Sequence, residues 1–282
     1  MTIAAALTAA EEALAPTSES ARADAQILMA FVLGCDRAEL LARDDEEIGE
    51  AQRVHLEALV SERGRGIPVA YLVGSAWFYG RSFEVTRDVL VPRPETEHLI
   101  EAALDDLRAE KKTAGVVVDV GTGSGAIAVT LACELPELEV IATDVSSAAL
   151  AVARRNATVH GVSERCTFLH GDLLAPLDRA NVDCIVANLP YIPTGDVPEA
   201  PNPVAFEPPI AVDGGSDGLA LYRKLIEQIP PIVKPGASLF LEAAPPTIDS
   251  LAALLETAFP NADISIGEDY AGCDRYVQVS LA

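Results

Sequence analysis

The chain has 282 residues, 50% of them hydrophobic, which is more than one typical domain requires and ample for a buried core. Its 43 acidic residues against 20 basic ones give a net charge of −23 at pH 7. Nucleic-acid affinity comes mostly from Lys and Arg facing phosphates, so this balance argues against a broad phosphate-binding surface and for a protein partner. No run reaches the about eighteen apolar residues of a membrane span, and the start lacks a basic, signal-like opening. The five cysteines and four histidines are scattered without metal-ligand spacing. No membrane contact and no metal are therefore expected, with a cytoplasmic location as the default.

Taken in chain order, residues 3–15 are Ala/Leu-rich and read as a helix, residues 20–33 as a second helix closing at Gly34, and Asp36 with Glu39 as a capped start to a third. Residues 1–75 are expected to form a helical domain for protein recognition. Residues 77–91 alternate apolar and polar around Gly80-Arg81-Ser82, so a β-hairpin linker is expected over 76–92. Beyond it, over 93–282, strands alternate with helices, which predicts an α/β domain on a mostly parallel sheet. Two late strands, 264–266 and 275–279, pair at its end.

The chemistry is concentrated in this second part. Residues 116–120, Val-Val-Val-Asp-Val, read as a buried parallel strand that enters Gly121-Thr122-Gly123-Ser124-Gly125 and then a helix over 126–135. Glycines let backbone approach a ligand, and the helix start offers free N–H groups. The dinucleotide fingerprint needs a glycine where this chain has Ala126, so the G-x-G-x-G spacing favours S-adenosyl-L-methionine over NAD. The next apolar run ends at Asp144, the expected partner of the ribose hydroxyls, with Ser146 capping the following helix and leaving Asp144 free. A third strand, 167–170, leads to Asp172, placed to accept from the adenine amino group, and Leu173, placed to pack on the ring.

A fourth strand, 183–187, delivers Asn188-Leu189-Pro190-Tyr191. An amide nitrogen is a poor nucleophile because its lone pair is delocalised, and two acceptors facing its N–H bonds favour the pyramidal, reactive form. Asn188 Oδ1 and the Leu189 carbonyl suit that task. Pro190 turns the chain without leaving a donor unpaired, and Tyr191 offers a stacking surface. The seven prolines between 190 and 209 make a stiff loop suited to walling a substrate site.

These blocks resemble the HemK-type methyltransferases that modify the side-chain amide nitrogen (N5) of a glutamine in peptide chain release factors. The resemblance rests also on Pro68-Val69-Ala70-Tyr71-Leu72-Val73-Gly74, on Val91-Pro92-Arg93-Pro94-Glu95-Thr96-Glu97, and on Asp213-Gly214-Gly215-Ser216-Asp217-Gly218-Leu219. It implies a class I, Rossmann-like methyltransferase with a seven-stranded sheet, a release factor as substrate through its Gly-Gly-Gln motif, and Glu95 and Thr96 at the methionine end of the cofactor. A monomer without direct nucleic-acid contact is expected. Ribosomal-protein glutamine methyltransferases and adenine-N6 nucleic-acid methyltransferases share part of the pattern and are the alternatives, beside a non-catalytic binder that has kept the fold. Leu189 stands where the family usually has proline. Since the group expected to act there is the main-chain carbonyl, Leu189→Pro is expected to keep most activity.

Overall fold

The computed structural model describes residues 1–178 and 181–282. Two compact units emerge, one from Met1–Ser75 with Pro198–Glu207, the other from Ala76–Val197 with Pro208–Ala282.

The first unit is helical. Helix α1, Ile3–Leu14, starts on Thr2, whose hydroxyl accepts from Ala5 N at 3.2 Å, and buries Ile3, Ala6, Ala10 and Leu14 at helical spacing. Helix α2, Ala21–Leu33, ends on the left-handed Gly34, and the short α3, Arg37–Ala42, is capped by Asp36 accepting from Glu39 N at 2.7 Å. Helices α4, Glu50–Gly64, and α5, Val69–Val73, complete the unit. Its core of Leu14, Leu28, Met29, Leu40 and Leu56 carries one buried ion pair, Arg63 Nε to Asp24 Oδ2 at 2.7 Å. Because the segment Pro198–Glu207 belongs here, half of the proline-rich stretch is built into the helical unit and does not form a free-standing loop.

The second unit opens within a hairpin of β1, Ser75–Phe78, and β2, Arg81–Glu84, all of which but Ser75 belongs to it. Tyr79 and Gly80 both have positive φ, as a two-residue hairpin turn of favourable twist requires. Phe78 and Phe83 meet edge to face and are fully buried. Then follow α6 (Thr96–Ala109), β3 (Val116–Val120), α7 (Ala126–Glu134), β4 (Glu139–Asp144), α8 (Ser147–Val159), β5 (Cys166–His170), β6 (Val182–Ala187), α9 (Ala220–Gln228), β7 (Val233–Glu242), α10 (Pro245–Ala258), β8 (Asp263–Glu268) and β9 (Asp274–Ser280). The seven larger strands lie in the order β5-β4-β3-β6-β7-β9-β8, parallel except for β9, which is antiparallel to both neighbours.

Alternation along β3 explains the layers: Val117 packs with α6 and α7 on one face, while Val118 and Val120 pack with α9 and α10 on the other. From β3 the chain first moves outward through β4 to β5, then crosses to β6 on the opposite side of β3. Ligands of such sheets bind outside the carboxyl ends of the strands at this reversal. In register Val120 faces Ala187, so the turn at Gly121 and the turn at Asn188 are neighbours in space. Among the described residues no helix is long and apolar enough to cross a membrane.

Candidate active site

The cofactor loop is set by Asp119. Fully buried at the end of β3, it accepts from Thr122 Oγ1 at 2.6 Å and from Ala128 N at 3.1 Å, which fastens the turn to the first residues of α7. Burial pushes its carboxyl up to about 7 against these two bonds. Gly121, Gly123 and Gly125 all have positive φ, the conformation that favours glycine, and Gly121 N and Thr122 N both donate to Thr143 O at 2.9 Å. A Cβ on Gly123 would meet nothing closer than 4.0 Å, so the loop presents bare backbone there. At Gly125 a Cβ would come within 3.0 Å of Ala153, so this glycine serves the packing of α7 on α8.

Asp144, at the tip of β4, accepts from Gly123 N at 2.9 Å and Ser146 N at 2.8 Å. Ser146 does cap α8, accepting from Ala149 N at 3.1 Å, but Asp144 is not free of protein partners as the sequence suggested. Each oxygen takes one backbone N–H and keeps a lone pair for a ligand. Burial raises its pKa, while these bonds pull it down. Asp172 likewise has a partner, the Lys224 ammonium; the pair is solvent-exposed, so displacing it costs little. Leu173 has φ +54°, an uncommon conformation for a leucine, and is buried beside it.

At the end of β6, Asn188 Nδ2 donates to Thr96 Oγ1 at 2.9 Å. Thr96, the first residue of α6, in turn hydrogen-bonds Glu242, the last residue of β7, whose carboxyl burial pushes up to about 7. Leu189 N donates to Tyr222 Oη at 3.2 Å, and that hydroxyl donates to the Glu242 carbonyl. The Leu189 side chain is buried, its Cδ2 lying 2.9 Å from where a Gly121 Cβ would stand. Leucine thus contributes an N–H and a packing surface as well as a carbonyl. The Asp213–Leu219 stretch zips onto this turn: Ile192 N donates to Val212 O at 3.2 Å and Gly214 N to Ile192 O at 2.8 Å. Gly218, at φ +76°, is required because a Cβ would fall 2.2 Å from the Tyr191 carbonyl oxygen.

One cavity of about 370 Å³ gathers these groups. Gly121, Thr122, Gly123, Ser124, Asp144, Asp172, Leu173, Thr96, Asn188, Leu189 and Pro190 line it, joined by Asp88 to Leu90, Pro92, Arg93 and Ile210. Gly125, Glu95 and Tyr191 do not line it. Gly125 packs on α8, and Tyr191 is half-buried and packs against the core cluster beneath, where burial and Glu242 push its hydroxyl up to about 12. The cradle fits an S-adenosyl-L-methionine-sized ligand: bare backbone at Gly123, a carboxylate at Asp144 and an apolar wall at Leu173. Among the described residues no His/Cys/Asp/Glu group is arranged to hold a metal. Sequence reasoning missed Tyr222 and Glu242. Glu242 had a signal, since Leu239-Phe240-Leu241 is an apolar run ending in an acid like β3 and β4; Tyr222 had none, reading as an ordinary aromatic in an amphipathic helix.

Comparison with known proteins matches residues 5–74 to the family described as PrmC N-terminal domain and residues 99–200 to the Methyltransferase small domain. The chain is 40% identical to a release factor glutamine methyltransferase of Moorella thermoacetica over 91% of its length and 90% of the relative. It is 39% identical to the protein of that name from Rhodopirellula baltica, over 94% and 91%, and 39% identical to that of Bacillus subtilis, over 90% and 89%. Among solved structures it resembles a methyltransferase from Pyrococcus furiosus, at TM-score 0.52 and 18% identity over 72% of this chain and 90% of that one. It also resembles the hMettl16 catalytic domain, at TM-score 0.55 and 14% identity over 80% and 91%. Both likenesses concern the class I methyltransferase fold.

Proposed function

The chain belongs to the release factor glutamine methyltransferase family, and from that membership we propose that its 370 Å³ cavity transfers a methyl group from S-adenosyl-L-methionine to the side-chain amide nitrogen of a release-factor glutamine. The observation that carries this reading is the register of β3 and β6, which puts the glycine loop and the Asn188-Leu189 turn on one cavity wall. Asp144 would hold the ribose, Leu173 and Asp172 the adenine, and Gly121 to Ser124 the chain between them; Thr96 and Glu95 belong to the methionine end. When bound, the cofactor supplies an electrophilic methyl on a sulfonium centre.

The protein's own work is orientation. Asn188 Oδ1 and the Leu189 carbonyl accept the two N–H bonds of the substrate amide, which favours a localised lone pair on its nitrogen. Pro190 cannot donate, so nothing at that residue competes for the substrate carbonyl. The nitrogen becomes cationic and strongly acidic as it gains the methyl group, so water or a carbonyl can take its proton and no strong base is required.

We further assign substrate recognition to residues 1–75, the linking hairpin to 76–92 and catalysis to 93–282, in a monomer that acts in the cytoplasm without contacting nucleic acid. The charge of −23 supports a protein substrate. Incubating the enzyme with labelled cofactor and purified release factor, followed by peptide mass mapping, tests the assignment. A single labelled glutamine is expected; label on adenine in added nucleic acid, or none at all, would overturn it.

A further inference from the structure

The two acceptors proposed to grip the substrate amide are both tied back to a single residue outside the cavity wall. Glu242 closes β7, the strand beside β6, and is almost fully buried. Its side chain is reached from Asn188 through Thr96, and its main-chain carbonyl from Leu189 through Tyr222. Above the value of about 7 to which burial raises it, the Glu242 carboxylate is ionised and can only accept hydrogen bonds, so Thr96 gives its one hydroxyl proton to Glu242. The Thr96 oxygen is then an acceptor toward Asn188, which turns Nδ2 to Thr96 and sends Oδ1 the other way. Were the carboxylate missing, the threonine could equally donate to Oδ1, and the asparagine would offer the substrate a donor where an acceptor is needed.

The main-chain link works on the other acceptor. Tyr222, fully buried, has one proton and gives it to the Glu242 carbonyl, so its oxygen is left to accept the Leu189 N–H. This holds the peptide carrying Leu189 against β7. The usual family proline has no N–H to contribute, so the link exists because position 189 is leucine.

We propose that Glu242 is a positioning residue for methyl transfer, setting the polarity of the Asn188 amide through Thr96 and the placement of the Leu189 backbone through Tyr222. The inference rests on the reading of Asn188 and Leu189 as the substrate grip. The test uses the full-length enzyme, labelled S-adenosyl-L-methionine and purified release factor, with Glu242→Gln, Thr96→Ala, their double variant and Tyr222→Phe. At pH 8 Glu242→Gln should lower kcat roughly ten- to a hundredfold, less than the two to three orders of magnitude for outright loss of a preorganised contact because the contact is misoriented and not removed, with cofactor affinity within twofold and thermal stability no lower than the parent's. In the Thr96→Ala background it should cost little more, because the link it breaks is already gone. Tyr222→Phe should speed hydrogen exchange of the Leu189 amide about tenfold or more, an outcome independent of turnover.

Parental kcat in Glu242→Gln, or losses that multiply fully with Thr96→Ala, would overturn the side-chain link while the parent still methylates. Unchanged exchange at Leu189 in Tyr222→Phe would overturn the main-chain link. No methylation by the parent would instead sink the functional reading, and this inference with it.

Discussion

Replacing Leu189 separates three things the residue supplies. Leu189→Ala keeps the N–H and the carbonyl but empties a buried site against Gly121; truncating a buried leucine to alanine costs roughly 2–5 kcal/mol, and the low end, about 2–3, suits a site at a cavity rim that solvent can partly fill. Leu189→Pro keeps the carbonyl and most of the carbon but removes the N–H that Tyr222 accepts at 3.2 Å. A neutral hydrogen bond contributes about 0.5–1.5 kcal/mol and the lost methyl carbon about 0.8, so roughly 2 kcal/mol is at stake. Backbone strain adds little, because Pro190 already biases Leu189 toward extended geometry. The leftover Tyr222 hydroxyl still donates to the Glu242 carbonyl, so no buried donor is orphaned. Urea unfolding should place Leu189→Pro about 2 kcal/mol below the parent, and steady-state methylation of release factor should fall about tenfold as the carbonyl loses its anchor. This reverses the expectation from sequence that proline would be nearly silent here. Parental stability and kcat in Leu189→Pro would show that only the carbonyl matters, as for proline.

Asp144→Ala should weaken S-adenosyl-L-methionine binding by roughly 1.5–3 kcal/mol through loss of a charge-assisted acceptor, with Asp144→Asn between it and the parent; calorimetric affinities within twofold for both would remove Asp144 from the ribose site. Asn188→Ala should cut kcat by about two to three orders of magnitude while cofactor affinity changes far less, and equal turnover would refute the grip. Stability should fall as pH rises from about 4 to about 7. Asp119 and Glu242 are both pushed up to about 7 by burial, so the folded state holds protons the unfolded chain has released, and that advantage is gone once pH passes the folded values. The loss is at most about 4 kcal/mol for Asp119 and about 3 kcal/mol for Glu242. Asp119→Asn and Glu242→Gln should each flatten the stability–pH curve between about pH 4 and 7, and curves parallel to the parent's would contradict the shifts.

How far sequence could go depended on whether a residue's role was local. The glycine loop, the strand-end acids and the Ser146 cap were readable because each is decided within a few residues: an apolar run, then a turn, then a helix start. Strand β7 was harder, since Lys234-Pro235-Gly236 interrupts its apolar pattern near the start with what reads as a turn. Tyr191 illustrates the limit differently. Its position after Pro190 suggested an aromatic face for the substrate, and in the fold the ring is half-buried, with part of it packed on the hydrophobic cluster below and its backbone held by the Asp213–Leu219 loop. Which way a residue points past a strand's end is decided by what packs there, and no spacing within the chain records it.

The same reasoning explains the leucine at 189. Read alone, it was a departure from a motif whose acting group is a carbonyl, and so a harmless one. In the fold its amide meets Tyr222, distant in sequence, and its side chain meets Gly121 across two parallel strands. A proline would give up the first contact and reshape the second. The substitution therefore joins the cofactor loop, the substrate turn and the end of β7 into one mechanical unit, and a change in any of the three should be felt at the other two.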